Sequence, residues 1–232
     1  MSDESPKPNT RLFSPAVLGL SAVLALSLLP SSSYAAALPL IQKEWALTGA
    51  QAGFIFSAYQ AGYVAATLLL LPLTDRVSPA RVFAASAALC TAGNALFPLW
   101  ASDFVTGSIL RFIAGTALVG VYMPGLRIVA ELFPPERRGA PVGIYVACFF
   151  LGSNLSVLLT GILLPYGWRE AYLATTVISA AAPIVAVLAL RGPRAMPAQQ
   201  GSGRLDVEVL ANRPAMLVVG AYSTHTWELY AA

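Results

Sequence analysis

The sequence predicts an all-α, polytopic membrane protein: a six-helix transmembrane bundle followed by the start of a seventh helix. Three observations predict it. Of the 232 residues, 57% are hydrophobic and only 11% charged, whereas a soluble domain carries roughly 25% charged residues to cover its surface. The apolar residues gather into runs of about twenty, the length that crosses a ~30 Å hydrocarbon core at 1.5 Å per residue. The basic residues cluster on one side: with the N-terminus in the cytoplasm, Lys7, Arg11, Arg76, Arg81, Arg127, Arg137, Arg138, Arg191, Arg194, Arg204 and Arg213 fall inside, only Lys43 and Arg169 fall outside, and Arg111 lies within the bilayer. That is the positive-inside bias. The net charge of +3 therefore reports topology in a cytoplasmic (inner) membrane, and lipid rather than nucleic acid is the expected partner.

Residues 1–12 are polar and proline-containing and read as a disordered cytoplasmic tail. The bundle is expected over residues 13–190. Its first run, 15–38, is led by Lys7 and Arg11 like a signal peptide, but it is long enough to span and further spans follow, so we read it as an uncleaved first helix. Pro30 and Ser31, Ser32 and Ser33 should loosen its middle. After an amphipathic link come runs at 50–73, 82–100, 104–133, 140–164 and 172–190, the fourth bent by the Pro124-Gly125 pair. Residues 191–213, rich in Pro, Gly, Gln and charge, read as a cytoplasmic linker. A new apolar run, 214–232, then stops with the chain, and we expect it to be a truncated seventh helix of a protein about twice this length.

Chemistry is sparse in these runs. There is one histidine, and no HExxH, phosphate loop, GxSxG or CxxC pair occurs, so no enzyme, metal site or cofactor is expected. Cys90 and Cys148 lie in apolar runs, where a thiol behaves as a small hydrophobe. The informative residue is Arg111, because an ionised side chain at a bilayer centre costs at least ~2.5–3.5 kcal/mol. Arg111, Gly115, Leu118 and Tyr122 recur at helical spacing, which puts guanidinium and phenol on one face. Such a face can hold an anionic substrate group; the competing reading is an arginine bonded to backbone carbonyls of a neighbouring helix. Tyr59 and Tyr63 share a face of the second run, Tyr34 lies on the first, and Asn154 is a mid-span polar group expected to face the interior. Arg111, Tyr122, Tyr59, Asn154 and Tyr34 form the candidate substrate set. His225 and Glu228, three apart, are a candidate proton-coupling pair.

Several motifs resemble the major facilitator superfamily. The loop between runs two and three supplies Asp75, Arg76 and Arg81 of that family's GxxxDRxGxRR signature, with Leu71, Ser78 and Ala80 at its other fixed positions. Arg111 and Gly115 are similar to the helix-four pattern RxxxG, and the FPPERRG and GWREAY turns resemble those of bacterial members. Helix five lacks the GxxxGPxxGG signature of drug/proton antiporters: Ser156, Val157 and Thr160 stand in it. The tail of helix four is similar to the nitrate/nitrite and cyanate branch, though 50–73 has no arginine. The resemblance implies a secondary transporter of a small solute, with a small organic anion preferred and proton coupling expected. It also implies a C-terminal six-helix half absent from this chain, and a cytoplasmic gate of Asp75, Arg76, Arg81, Arg127, Glu131 and Arg138. The alternatives are a drug or metabolite efflux carrier of the same family, or a non-transport membrane scaffold.

Overall fold

The computed structural model describes residues 12–74, 77–191, 212–214, 216–218, 220, 221 and 224. The chain divides into two compact units, Met1–Gln200 and Gly201–Ala232. In the second, every described residue from 213 onward is helical. The first contains eight α-helices among the described residues: α1 (Pro15–Leu28), α2 (Ser33–Glu44), α3 (Gly49–Thr74), α4 (Pro79–Trp100), α5 (Phe104–Glu131), α6 (Gly139–Leu163), α7 (Trp168–Ser179) and α8 (Ala181–Leu190). No strand occurs among those residues.

These helices make the six predicted spans, two of them broken. Among the described residues, Pro15–Glu44, Pro79–Trp100, Phe104–Glu131, Gly139–Tyr166 and Trp168–Leu190 are long and apolar enough to cross a membrane. The 26 residues of α3 reach ~39 Å at 1.5 Å per residue and complete the set. The first span breaks where Pro30 and the serines stand; of the expected link at 40–49, residues 40–44 form the last turn of α2 and residues 45–48 make the connection to α3. The sixth span breaks between Ser179 and Ala181, which the uniform apolar run did not announce. Pro183 has no N–H to bond back to the Ser179 carbonyl, and Thr91 of α4 donates its hydroxyl to that oxygen at 3.1 Å. At Pro124, where a bend is expected, α5 stays helical without interruption from Phe104 to Glu131.

Helix α5 packs against α3 on one side and α4 on the other, and α1 sits between α6 and α8. The α3–α5 contact is backbone on backbone. A Cβ on Gly115 would overlap the Tyr59 carbonyl oxygen, and one on Gly62 would overlap that of Phe112. Of the small residues of α6, Gly152 lies against the backbone of Ala25 in α1, while Gly143 and Gly161 face open space. Two buried clusters result. One is built on Leu20, Leu24, Phe83, Leu118, Val121 and Tyr145; the other, toward the opposite ends of the helices, on Tyr34, Ile41, Ile55, Phe97, Trp168 and Tyr172.

The start of α5 is capped: the Asp103 carboxylate accepts from the amides of Val105 and Thr106 at 2.8 and 2.9 Å. These bonds, led by that from Thr106, hold the carboxyl below its ordinary range. A group with a depressed folded pKa stabilises fully above its unfolded value, and that stabilisation vanishes as pH falls through the folded value. The stability difference between the parent and Asp103→Asn, followed by thermal unfolding, should therefore be constant near neutrality and shrink below pH ~4. A second test is steric. Gly115→Ala should lower the melting temperature, by the equivalent of ~1–3 kcal/mol of overpacking, whereas Gly161→Ala should leave it unchanged or slightly higher.

Candidate functional site

The break in the first span creates the chemistry of the bundle's centre. Where α1 stops, its last carbonyls have no ladder partner, and an unsatisfied backbone group costs several kcal/mol in hydrocarbon. The structure supplies side-chain donors. Ser31 and Ser33 bond back to the carbonyls of Ser27 and Leu29, each at 3.1 Å. Ser156 of α6 donates to the Leu29 carbonyl as well, and Cys90 of α4 reaches that of Ser27 at 3.5 Å. Thr160 donates to the Ser33 hydroxyl at 2.8 Å, and Thr175 lies 3.1 Å from it. The Ser31 carbonyl is left for Arg111, whose Nη1 donates to it at 3.0 Å.

Arg111 is 1% exposed. The same Nη1 donates to the Tyr172 hydroxyl at 3.0 Å, and that hydroxyl donates to Asn94 Oδ1 at 3.4 Å. Asn94 is anchored by its amide to the Cys90 carbonyl at 2.9 Å. Aromatic rings surround the guanidinium: its carbon lies 4.3 Å from the Tyr59 ring centroid, 5.1 Å from Tyr34 and 5.9 Å from Phe97. Each desolvated cation–π contact is worth up to ~2 kcal/mol. Tyr59 is held by a 2.9 Å bond to the Ser31 hydroxyl and Tyr34 by a 3.0 Å bond to the Ala52 carbonyl. No carboxylate takes part: the ion pairs among the described residues are Arg127–Glu131 and Arg169–Glu44. Arg111 Nε is buried with no hydrogen-bond partner. The guanidinium thus sits at the break between α1 and α2, bonded through Nη1 alone, and its buried Nε–H is unused.

Of the candidate substrate set, Arg111, Tyr34 and Tyr59 converge here and two residues do not. Tyr122 is half-buried and packs on Tyr145 and Phe149, with centroids 6.3 and 5.4 Å away; it lies eleven residues along α5 from Arg111, ~16 Å by helical rise. Asn154, expected to face the interior, is exposed, its amide bonded back to the Phe150 carbonyl at 2.8 Å. The reason is period: Gly152, Ser156 and Thr160 make the buried face of α6, and a residue two positions away points ~200° round the helix. Sequence reasoning missed Tyr172, Asn94 and Phe97. Tyr172 stood in the GWREAY motif, and Asn94, a lone amide in an apolar run, was the available signal.

The proposed gate is only partly described. Arg127 Nε pairs with Glu131 Oε1 at 2.9 Å, Arg138 Nε donates to the Phe133 carbonyl at 3.0 Å, and Arg81 is exposed at the start of α4. Asp75, Arg76, His225 and Glu228 lie outside the described residues. At the other end of the bundle, Glu44 of α2 holds Arg169 and the Trp168 indole, each at 2.6 Å. No group of three or more His, Cys, Asp or Glu side chains that could hold a metal occurs among the described residues.

The Tyr172 hydroxyl serves both Arg111 and Asn94. Tyr172→Phe should therefore destabilise the bundle by ~1–3 kcal/mol, the cost of a buried polar group left unpaired. Thermal unfolding beside Tyr166→Phe, at an exposed tyrosine, checks this; only the first should lower the transition.

Comparison with known proteins places this arrangement. The sequence profile described as Major Facilitator Superfamily matches residues 20–230. The "Uncharacterized transporter YgaY" of Escherichia coli is 33% identical over 207 residues, covering 86% of this chain and 49% of that protein. The "Benzoate transport protein" of Acinetobacter baylyi is 30% identical over 165 residues, covering 68% of this chain and 34% of that one. The fold is that of a bacterial homolog of the human lysosomal transporter Spinster in an inward-facing, unoccupied conformation, with TM-score 0.65, 19% identity, and 83% and 46% of the two chains covered. The chain spans about half, or less, of the length of these relatives. With a six-span helical bundle, two broken spans and a profile match over most of its length, the chain belongs to the Major Facilitator Superfamily.

Proposed function

We propose that this chain is the N-terminal half of a secondary active transporter that moves a small organic anion across the cytoplasmic membrane by alternating access, coupled to protons. In this reading residues 13–190 form the half-bundle, 191–213 a cytoplasmic linker and 214–232 the start of a seventh helix leading into a C-terminal half. The N-terminus lies in the cytoplasm, which the arginines at the α1-start end of the bundle support: Arg81, Arg127, Arg137, Arg138 and Arg191, against Lys43 and Arg169 at the other end. The two halves hold substrate between them near the midplane and rock about it.

The observation that carries the anion reading is Arg111: a buried cation with no carboxylate partner, an unused Nε–H and three aromatic rings around it. A substrate carboxylate can take Nε and Nη together in the fork geometry that arginine offers, and the rings suit an aromatic or short aliphatic body. The benzoate transport protein among the relatives is in keeping with that class. Arg111 is sealed in this conformation, and the flanking break between α1 and α2 is the element that moves to uncover it. Asp75, Arg76, Arg81, Arg127, Glu131 and Arg138 close the cytoplasmic side, and His225 with Glu228 carries the coupled proton.

Uptake into proteoliposomes holding the full-length protein tests the reading. With an inward proton gradient, benzoate and short aliphatic carboxylates should accumulate, and a protonophore should abolish it. Arg111→Leu, checked as monodisperse by gel filtration, should lose uptake by on the order of 100-fold, the scale of an unpaired charge contact. Arg111→Lys should keep a fraction, because it retains charge without the fork. Parent-level uptake by Arg111→Leu would remove Arg111 from the site, and absence of uptake of any anion would overturn the substrate class.

A further inference from the structure

The structure assigns an anionic-phospholipid site to the groove between α4 and α8 at the basic end of the bundle, with Arg81 and Arg191 as headgroup ligands. The groove has a volume of about 270 Å³ and is lined by Ser78, Arg81, Ala84, Val187, Leu190 and Arg191 among others. It arises from packing: α4 and α8 are in contact, and the first turn of α4 meets the C-terminal end of α8. Arg81 lies in that first turn, and Arg191 is the residue that caps α8. Both are exposed, and among the described residues neither guanidinium makes a hydrogen bond or ion pair. Among the described residues, no acidic side chain lines the groove.

Two features select the occupant. Two unpaired guanidiniums at the end of a span, at headgroup depth, present donor forks that match a phosphodiester, and arginine is suited to bidentate phosphate recognition. Beneath them the walls are aliphatic, made by Ala80, Ala84, Leu190 and Val187, the last of which is 50% exposed. A free anion leaves that floor uncovered. A zwitterionic lipid brings its own ammonium against the two arginines. A lipid of net negative charge fills both parts, acyl chain along α4 and α8 and phosphate between the arginines, which is how basic pockets between spanning helices hold anionic headgroups. This inference rests only on the chain spanning a membrane and is independent of what it transports.

The test is native mass spectrometry of the full chain, purified and delipidated in detergent, titrated with dioleoyl phosphatidylglycerol or dioleoyl phosphatidylcholine. Phosphatidylglycerol should be retained on the order of 10-fold more tightly. Arg81→Ala/Arg191→Ala should bring it to the phosphatidylcholine level, while Arg137→Ala, at an exposed arginine outside the groove, should keep the preference. Circular dichroism and gel filtration report whether the double variant folds; if it does not, Arg81→Gln and Arg191→Gln singly should each weaken the preference several-fold. Equal retention of the two lipids, an unchanged preference in the folded arginine variants, or an equal loss in Arg137→Ala would overturn the site. Displacement by glycerol phosphate at matched concentration would make it a free-anion site and overturn the lipid assignment.

Discussion

The bundle depends on how the break in its first span is satisfied. A helix interrupted in mid-membrane exposes carbonyls to a medium that cannot bond them, and here four other helices answer. Cys90 comes from α4, Arg111 from α5, Ser156 and Thr160 from α6, and Thr175 from α7. The interrupted segment is thereby the point where most of the fold is tied together, with an apolar cluster on either side along the helix axes. Pro30, which ends one ladder, and Arg111, which sits 80 positions downstream of Ser31 in the chain, are two parts of one solution. The sixth span repeats the device on a smaller scale, with Pro183 freeing a carbonyl and Thr91 accepting the task of bonding it.

Arg111 also sets the electrostatics of the half-bundle. A buried ionised group is ordinarily neutralised by an opposite charge. Here the compensation comes from a carbonyl, a phenol hydroxyl and three ring faces, all of them dipoles or quadrupoles. Dipoles solvate a cation without cancelling it, so the centre of this half keeps a positive potential. The structural reading of Arg111 as a carbonyl-bonded anchor and the functional reading as an anion-attracting group are therefore compatible: the first describes the bonds it makes, the second the charge those bonds leave.

Much of the fold was legible because it follows from lengths. Apolar runs of about twenty residues separated by charged turns admit few arrangements, and Pro30 with three serines marked one break openly. The break at Ala180 was hidden because alanines and valine surround it, and its cause is a proline three positions on that reads like any other residue of the run. The site was legible where chemistry was rare: one mid-span arginine and the tyrosines of the first two spans. It was illegible where it required knowing how each helix is turned. Spans that are apolar all round mark no face, so Asn154 was placed inward by its polarity alone, and Tyr172 and Asn94 gave no sign that they would meet Arg111 from two other spans. On α6 the correct face was written in Gly152, Ser156 and Thr160, a period of four that a reading of single residues passes over.

The reciprocal approach of Gly62 to Phe112 and of Gly115 to Tyr59 has a mechanical meaning. Two backbones locked at two points, each carbonyl seated where a side chain would otherwise stand, cannot slide along one another by a fraction of a turn without collision. Helices α3 and α5 therefore form a stiff plate within the half-bundle. The interrupted spans, α1–α2 and α7–α8, are held at their breaks by hydroxyl bonds to neighbouring helices instead. In engineering terms α3 and α5 are the frame of this half-bundle, and the two interrupted spans are its joints.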